Sequence, residues 1–135
     1  MIPSIAIQTT KRNQMIDITN DIKRLIEKYT MKNGYVIVFV PHTTAVVTIN
    51  EGADPDVADD IIETLKRLIP MNNSFKHVEG NSDAHIKSSL LGASQCILVE
   101  NNRLILGSWQ HVFLYESDGP RTRTVHVKLI STKET

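Results

Sequence analysis

Apolar positions along the chain follow two periods, and the switches between them predict the elements. Ile5 and Ile7, then Met15 to Ile18, alternate with polar residues and read as two strands joined near Thr10 to Asn13. Ile22, Leu25, Ile26 and Tyr29 recur at helical spacing after Thr19 or Asn20, either of which can cap a helix. Gly34 tolerates the left-handed conformation past a helix end, so it reads as the stop. Tyr35 to Val40 is almost wholly β-branched or aromatic, which predicts a central strand buried on both faces. Pro41 ends it, and a second run, Ala45 to Ile49, follows. Asp54-Pro55-Asp56 supplies a capping acid, a proline at the first helical position and an acid in the first turn. Val57, Ile61, Leu65 and Leu68 carry that helix to Pro70.

Met71 to Gly80 is loop, with Asn72-Asn73-Ser74 as turn material. Asn81 or Ser82 caps a short helix through Leu91, with Gly92 as its stop. The rest is β-rich. Ser94 to Glu100 and Arg103 to Leu106 make a hairpin through Asn101-Asn102; Trp109 to Glu116 and Thr122 to Ile130 make another through Asp118-Gly-Pro120. In the last strand Thr124, His126 and Lys128 alternate with Val125, Val127 and Leu129, one polar face and one buried. No repeat or linker interrupts residues 1–135. The expected fold is a single α+β domain: a mainly antiparallel sheet packed with two long helices and one short one.

Composition narrows the function classes. A chain of 135 residues with 41% apolar and 22% charged residues fits one soluble globular domain. Fifteen Lys and Arg balance fifteen Asp and Glu, which argues against a protein that coats nucleic acid and leaves room for a local cationic pocket. No apolar run approaches the roughly 20 residues of a membrane span. The N-terminus lacks the basic-then-apolar pattern of a signal peptide, so a cytoplasmic location is expected. The lone Cys96 lies in the apolar run Ser94 to Val99 and reads as a buried small hydrophobe.

Chemistry concentrates around five histidines. His126 sits on the polar face of its strand and reads as solvated; His111 shares a strand face with Trp109 and Phe113 and reads as half-buried. His42 follows Pro41 at a strand end, where rigid backbone meets solvent. His77 and His85 flank the loop Val78 to Ala84. These two are either incidental to a hinge or, with His42, three imidazoles presented by a strand end, a loop and a helix start that can converge on one metal with an open fourth position. Glu51 is a candidate general base, or a group that orients a ligand histidine. Lys87 and Arg121 are candidates for binding anions; Arg121 can clamp a phosphate with Arg123 or pair with Asp118. Lys87 lies about 200° around a helix from His85, whereas Ser88 and Ser89 share the His85 face, so either the helix starts after His85 or Lys87 serves elsewhere, such as a neighbouring subunit. Trp109, the only tryptophan, reads as core or interface before it reads as a stacking platform.

The segments taken together resemble the YjbQ-like family, also described as secondary thiamine-phosphate synthase enzymes. The resemblance runs through His42-Thr-Thr-Ala45, Asn50-Glu51, Asp54-Pro55, His77, Glu79-Gly80, His85-Ile-Lys-Ser88, Leu91-Gly92, Leu106-Gly-Ser-Trp-Gln110 and the Asp118 to Arg123 turn, nearly the whole chain in order. Ser108 stands where the family pattern has Thr. The resemblance implies an α+β homotrimer with sites near subunit interfaces. It also implies a divalent metal, zinc, on His42, His77 and His85. The implied activity joins a hydroxymethylpyrimidine diphosphate to a thiazole phosphate with release of pyrophosphate. On that reading Glu51, Lys87 and Arg121 act in catalysis, and Asn50, Ser88, Trp109, Gln110 and Asp118 bind the phosphorylated substrate. A metal-dependent hydrolase and a non-catalytic metal- or anion-binding protein are the alternatives.

Overall fold

A computed structural model describes residues 2–133. Among these, the elements run β1 (Ser4–Gln8), β2 (Gln14–Asp17), α1 (Thr19–Lys28), β3 (Gly34–Phe39), β4 (Ala45–Glu51), α2 (Pro55–Leu68), α3 (Ser82–Leu91), β5 (Ser94–Glu100), β6 (Arg103–Leu104), β7 (Gln110–Glu116) and β8 (Thr122–Ser131). The α+β class holds, and every strand pairing is antiparallel. The strands form two sheets rather than one, in the orders β1-β8-β3-β5-β6 and β2-β7-β4. The expected β7–β8 hairpin therefore does not exist: residues 117–121 carry the chain from one sheet to the other. β1 and β2 are likewise split between the sheets. Alternation reports which face of a strand is buried, not which partner it pairs with, so the sequence pattern was blind to this.

The inner faces of both sheets share one core. Val36, Val38, Ile97, Val99, Val125 and Val127 come from the larger sheet; Ala45, Val47, Val112 and Leu114 come from the smaller. Ile22 and Ile26 of α1 close the core, as their spacing predicts. Asp54 caps α2 by accepting from the Asp56 backbone N–H at 2.9 Å, with Pro55 at the first helical position. Gly92 ends α3 with φ of 94°. No helix of the described residues is long and apolar enough to cross a membrane.

Other expectations fail for physical reasons. Thr30, at φ of 49°, takes the left-handed position after α1, while Gly34 opens β3; a Cβ there would lie 2.0 Å from the Ile130 carbonyl oxygen of the neighbouring strand. β3 is central in its sheet but buried on one face only, leaving Ile37 and Phe39 exposed. Leu98 and Cys96, across from Tyr35 and Ile37, are exposed on the same face, so Cys96 is not a core residue. α1 and α3 have ten residues each and α2 fourteen, in place of two long helices and a short one. The apolar stripe of α2 is real, yet none of its residues is fully buried within one chain, and Leu68 is 72% exposed.

Candidate functional site

Three crossovers between the sheets lie side by side at one end of the molecule: residues 9–13, 40–44 and 117–121. The register requires it, since Gln8 pairs with Thr122 while Gln14 and Ala45 both pair with Glu116. Backbone hydrogen bonds tie the crossovers together: Thr9 N–H donates to Arg121 O at 2.9 Å, Gly119 N–H to Arg12 O at 3.1 Å and Ser117 N–H to Thr44 O at 3.1 Å. The approach is close enough to require glycine at 119, where a Cβ would lie 2.3 Å from the Lys11 carbonyl oxygen.

Beneath the crossovers is a buried ion pair. Glu116 and Arg123 are both almost fully buried. Arg123 donates to both carboxylate oxygens of Glu116 and to the Thr44 hydroxyl, while Thr9 Oγ1 donates to Glu116 at 2.8 Å. The side chains on top are positioned from this base. Asp118 accepts from Arg121 at 2.9 Å and from the Asn81 amide at 2.9 Å, which anchors the start of α3 to the crossover. Arg121 remains half-exposed. Among the described residues, Asn81 Oδ1, Ser88 Oγ, Tyr115 Oη and Ser117 Oγ are buried without a hydrogen-bond partner.

The histidines divide. His77 and His85 meet edge to face with ring centroids 5.6 Å apart, and the turn through Gly80, at φ of 77°, brings them together. His42 belongs to the crossovers instead. Its Nε2 accepts from the Thr124 backbone N–H at 3.0 Å, so the imidazole stands in for a strand carbonyl just beyond the end of β3. Burial, and then the nearby Arg123, hold its pKa below the ordinary histidine value against the pull of Glu116, which keeps it a neutral acceptor. Among the described residues no three His, Cys, Asp or Glu side chains are arranged to hold a metal. Within one protomer, then, the three-histidine site is two imidazoles plus one engaged elsewhere.

α3 separates Lys87 from His85 as the helical angle requires. Lys87 is buried, donating to Asp83 at 3.0 Å and to Asn13 at 3.1 Å. Asp83 also receives both terminal nitrogens of Arg12 at 3.0 Å each. Burial pushes the Asp83 carboxyl up, but the Arg12 and Lys87 hydrogen bonds outweigh it, and the pKa falls below its ordinary value. The stability this carboxylate contributes is thus present above the ordinary aspartate range and lost as pH falls through the lower folded value. Asp83→Asn is expected to flatten the acid limb of stability below about pH 4, measured by urea melts from pH 6 to pH 2.

The remaining candidates lie at the opposite end of β4, about 20 Å away by strand rise. Asn50 and Glu51 pair there with His111 and Gln110. Glu51 accepts from Asp54 N–H at 3.3 Å, and Gln110 Oε1 accepts from Gly107 N–H at 2.8 Å. Trp109 is 65% exposed beside them rather than in the core. A cavity of about 300 Å³ next to Glu51 is lined by Asp17, Asp54 and Asp59 and reaches Lys11 and Asn13 of the first crossover. His111 bonds Asp17 at 2.5 Å and packs against Gly52, where a Cβ would strike its ring at 2.1 Å. Sequence reasoning missed Glu116, Arg12, Asn81 and Asp83. Only Asp83 left a signal, its helical i, i+4 spacing from Lys87.

Comparison with known proteins accounts for this plan. Residues 3–132 match the family model described as UPF0047 protein YjbQ-like. The chain is 50% identical over 133 residues to the UPF0047 protein MJ1081 of Methanocaldococcus jannaschii, covering 98% of this chain and 96% of that one. It is 46% identical to the UPF0047 protein YugU of Bacillus subtilis, covering 96% and 99%. A solved structure of a yjbq/upf0047 family protein from Clostridium acetobutylicum superposes with a TM-score of 0.93 at 49% identity, covering 95% of this chain and 99% of that one. Nearly complete coverage in both directions extends the likeness to the crossovers, the histidine loop and the far end of β4 alike, and the chain belongs to the YjbQ-like UPF0047 family.

Proposed function

We propose that the chain is a transferase acting on phosphorylated heterocycles, of the thiamine-phosphate synthase type, with its site completed between copies of a homotrimer. The observation that carries this reading is the charge polarity of the two ends. Arg121, with donor capacity beyond its Asp118 pair, stands at the crossover end; Glu51 with Asp17, Asp54 and Asp59, against the one cation Lys11, lines the cavity at the other. The reaction creates both charges. The thiazole nitrogen's lone pair forms the new bond to the pyrimidine methylene carbon and becomes cationic. The carbon–oxygen bond breaks, and its electron pair leaves with pyrophosphate. Cationic donors stabilise the leaving group and carboxylates stabilise the new cation. Trp109, exposed beside Glu51, offers a face on which a heterocycle can stack.

Two ends about 20 Å apart on one strand cannot serve one reaction within a single copy. A ring of head-to-tail contacts brings two different patches together at each interface, as a homotrimer requires. The exposed Ile37, Phe39 and Leu98 give such an assembly apolar surface to bury. A zinc ion on His77 and His85 would need a further ligand from another copy or from substrate. Metal content of the purified protein, with and without His85→Ala, decides whether one is held.

The test is incubation with the pyrimidine diphosphate and the thiazole phosphate, measuring pyrophosphate and coupled product. Equal amounts of both support the transferase. Pyrophosphate without coupled product establishes a hydrolase instead, and turnover of neither leaves a binding protein.

A further inference from the structure

The Lys87 flank of α3 faces a cavity separate from the histidine pair, of about 420 Å³. It is lined by Arg12, Asn13, Lys66, Asp83 and Lys87, with Ile69, Pro70 and Met71 forming an apolar wall. Its volume falls in the range of small-molecule sites.

The charge count here is unbalanced. A buried lysine needs one carboxylate to offset its desolvation, and Asp83 stands 3.0 Å away to do so. The same carboxylate also takes a bidentate bond from Arg12. Lys66 pairs with Glu63 on its own helix and adds nothing to the surplus. One acid thus serves two cations, and one positive charge remains against the cavity. Lys87 is 1% exposed and donates to Asp83 and Asn13, so it acts on the cavity through its charge and not by direct contact.

We infer that this cavity binds a phosphate group, as orthophosphate or as a phosphate monoester whose organic body lies on the Ile69–Pro70–Met71 wall. Arg12, 29% exposed, donates to the phosphate at the rim, the buried Lys87 adds its charge from behind, and Asp83 holds both cations in place. This subsite lies on the Arg12–Asn13 flank of the crossovers, does not include Arg121, and stands or falls independently of the transferase reading.

Isothermal titration with orthophosphate and with phenyl phosphate tests it, in the wild type and in Arg121→Ala, where the exposed Arg121 guanidinium no longer contributes. One phosphate per chain is expected to bind in Arg121→Ala. Adding Lys87→Met is expected to weaken it by about tenfold or more, the loss of the positive charge that Asp83 does not offset. Arg12→Gln, at a partly exposed position, is expected to weaken it in the same direction and serves if the Lys87 variant does not fold. Tighter binding of phenyl phosphate than of orthophosphate assigns the site to a monoester; equal binding assigns it to the free ion. No binding of either ligand to Arg121→Ala at millimolar concentration overturns the inference, as does wild-type affinity in both the Lys87 and Arg12 variants.

Discussion

Replacing Arg123 with Met is expected to lower stability by about 3–5 kcal/mol, the characteristic loss when one partner of a buried ion pair is removed. Glu116 has no exposed surface and would keep only the Thr9 hydroxyl and the Asp118 N–H as donors. The double variant Glu116→Gln/Arg123→Met is expected to lose much less than the two single variants summed, because no uncompensated charge stays inside. Urea denaturation of the four proteins measures both quantities. Simple additivity would show that the pair is not coupled and that the crossovers are held by their backbone bonds alone. The prediction bears on function because Arg123 and Glu116 support the turn that places Asp118 and Arg121.

The second large effect concerns turnover. Arg121→Ala is expected to reduce the rate of pyrophosphate release about 10²–10³-fold, the usual loss for one donor aimed at developing negative charge. Folding should be little affected, since the guanidinium is half-exposed and bonds only to Asp118 of its own turn. The loss should appear in kcat more than in KM, because the charge on the leaving oxygen develops in the transition state. An Arg121→Ala protein with wild-type kcat and raised KM would assign the arginine to ground-state binding.

How much of this was legible beforehand differs between fold and site. The caps of α2, the stop at Gly92 and the α1 stripe follow from local chemistry, and local chemistry is what a sequence displays. The two-sheet arrangement is not local. Glu116 and Thr122 were correctly read as strand residues, but a turn that closes a hairpin and one that crosses between sheets carry the same Gly-Pro pattern. For the same reason β3 looked buried on both faces: Ile37 and Phe39 are apolar but exposed in one copy. At the site, the proximity of His77 and His85 was readable from their loop. The engagement of His42 was not, because its partner is the backbone N–H of Thr124, which any residue there would supply. The helical angle sets Lys87 apart from His85 but leaves its direction open; its partner Asn13, and Arg12 on the shared Asp83, lie more than 70 residues away in sequence and carry no local signal.

The central claim, that the far end of one copy completes the crossover end of another, has a reporter in Trp109, the only tryptophan of the chain. In one copy it is 65% exposed. Its emission and its quenching by acrylamide should be followed across a dilution series, with the mass measured by sedimentation at each point. The account predicts a trimer at high concentration in which Trp109 emission is blue-shifted and protected from quencher, both changes reversing as the assembly dissociates. A trimer in which Trp109 stays as quenchable as in the separated chain, or a protein that is monomeric throughout, would contradict it.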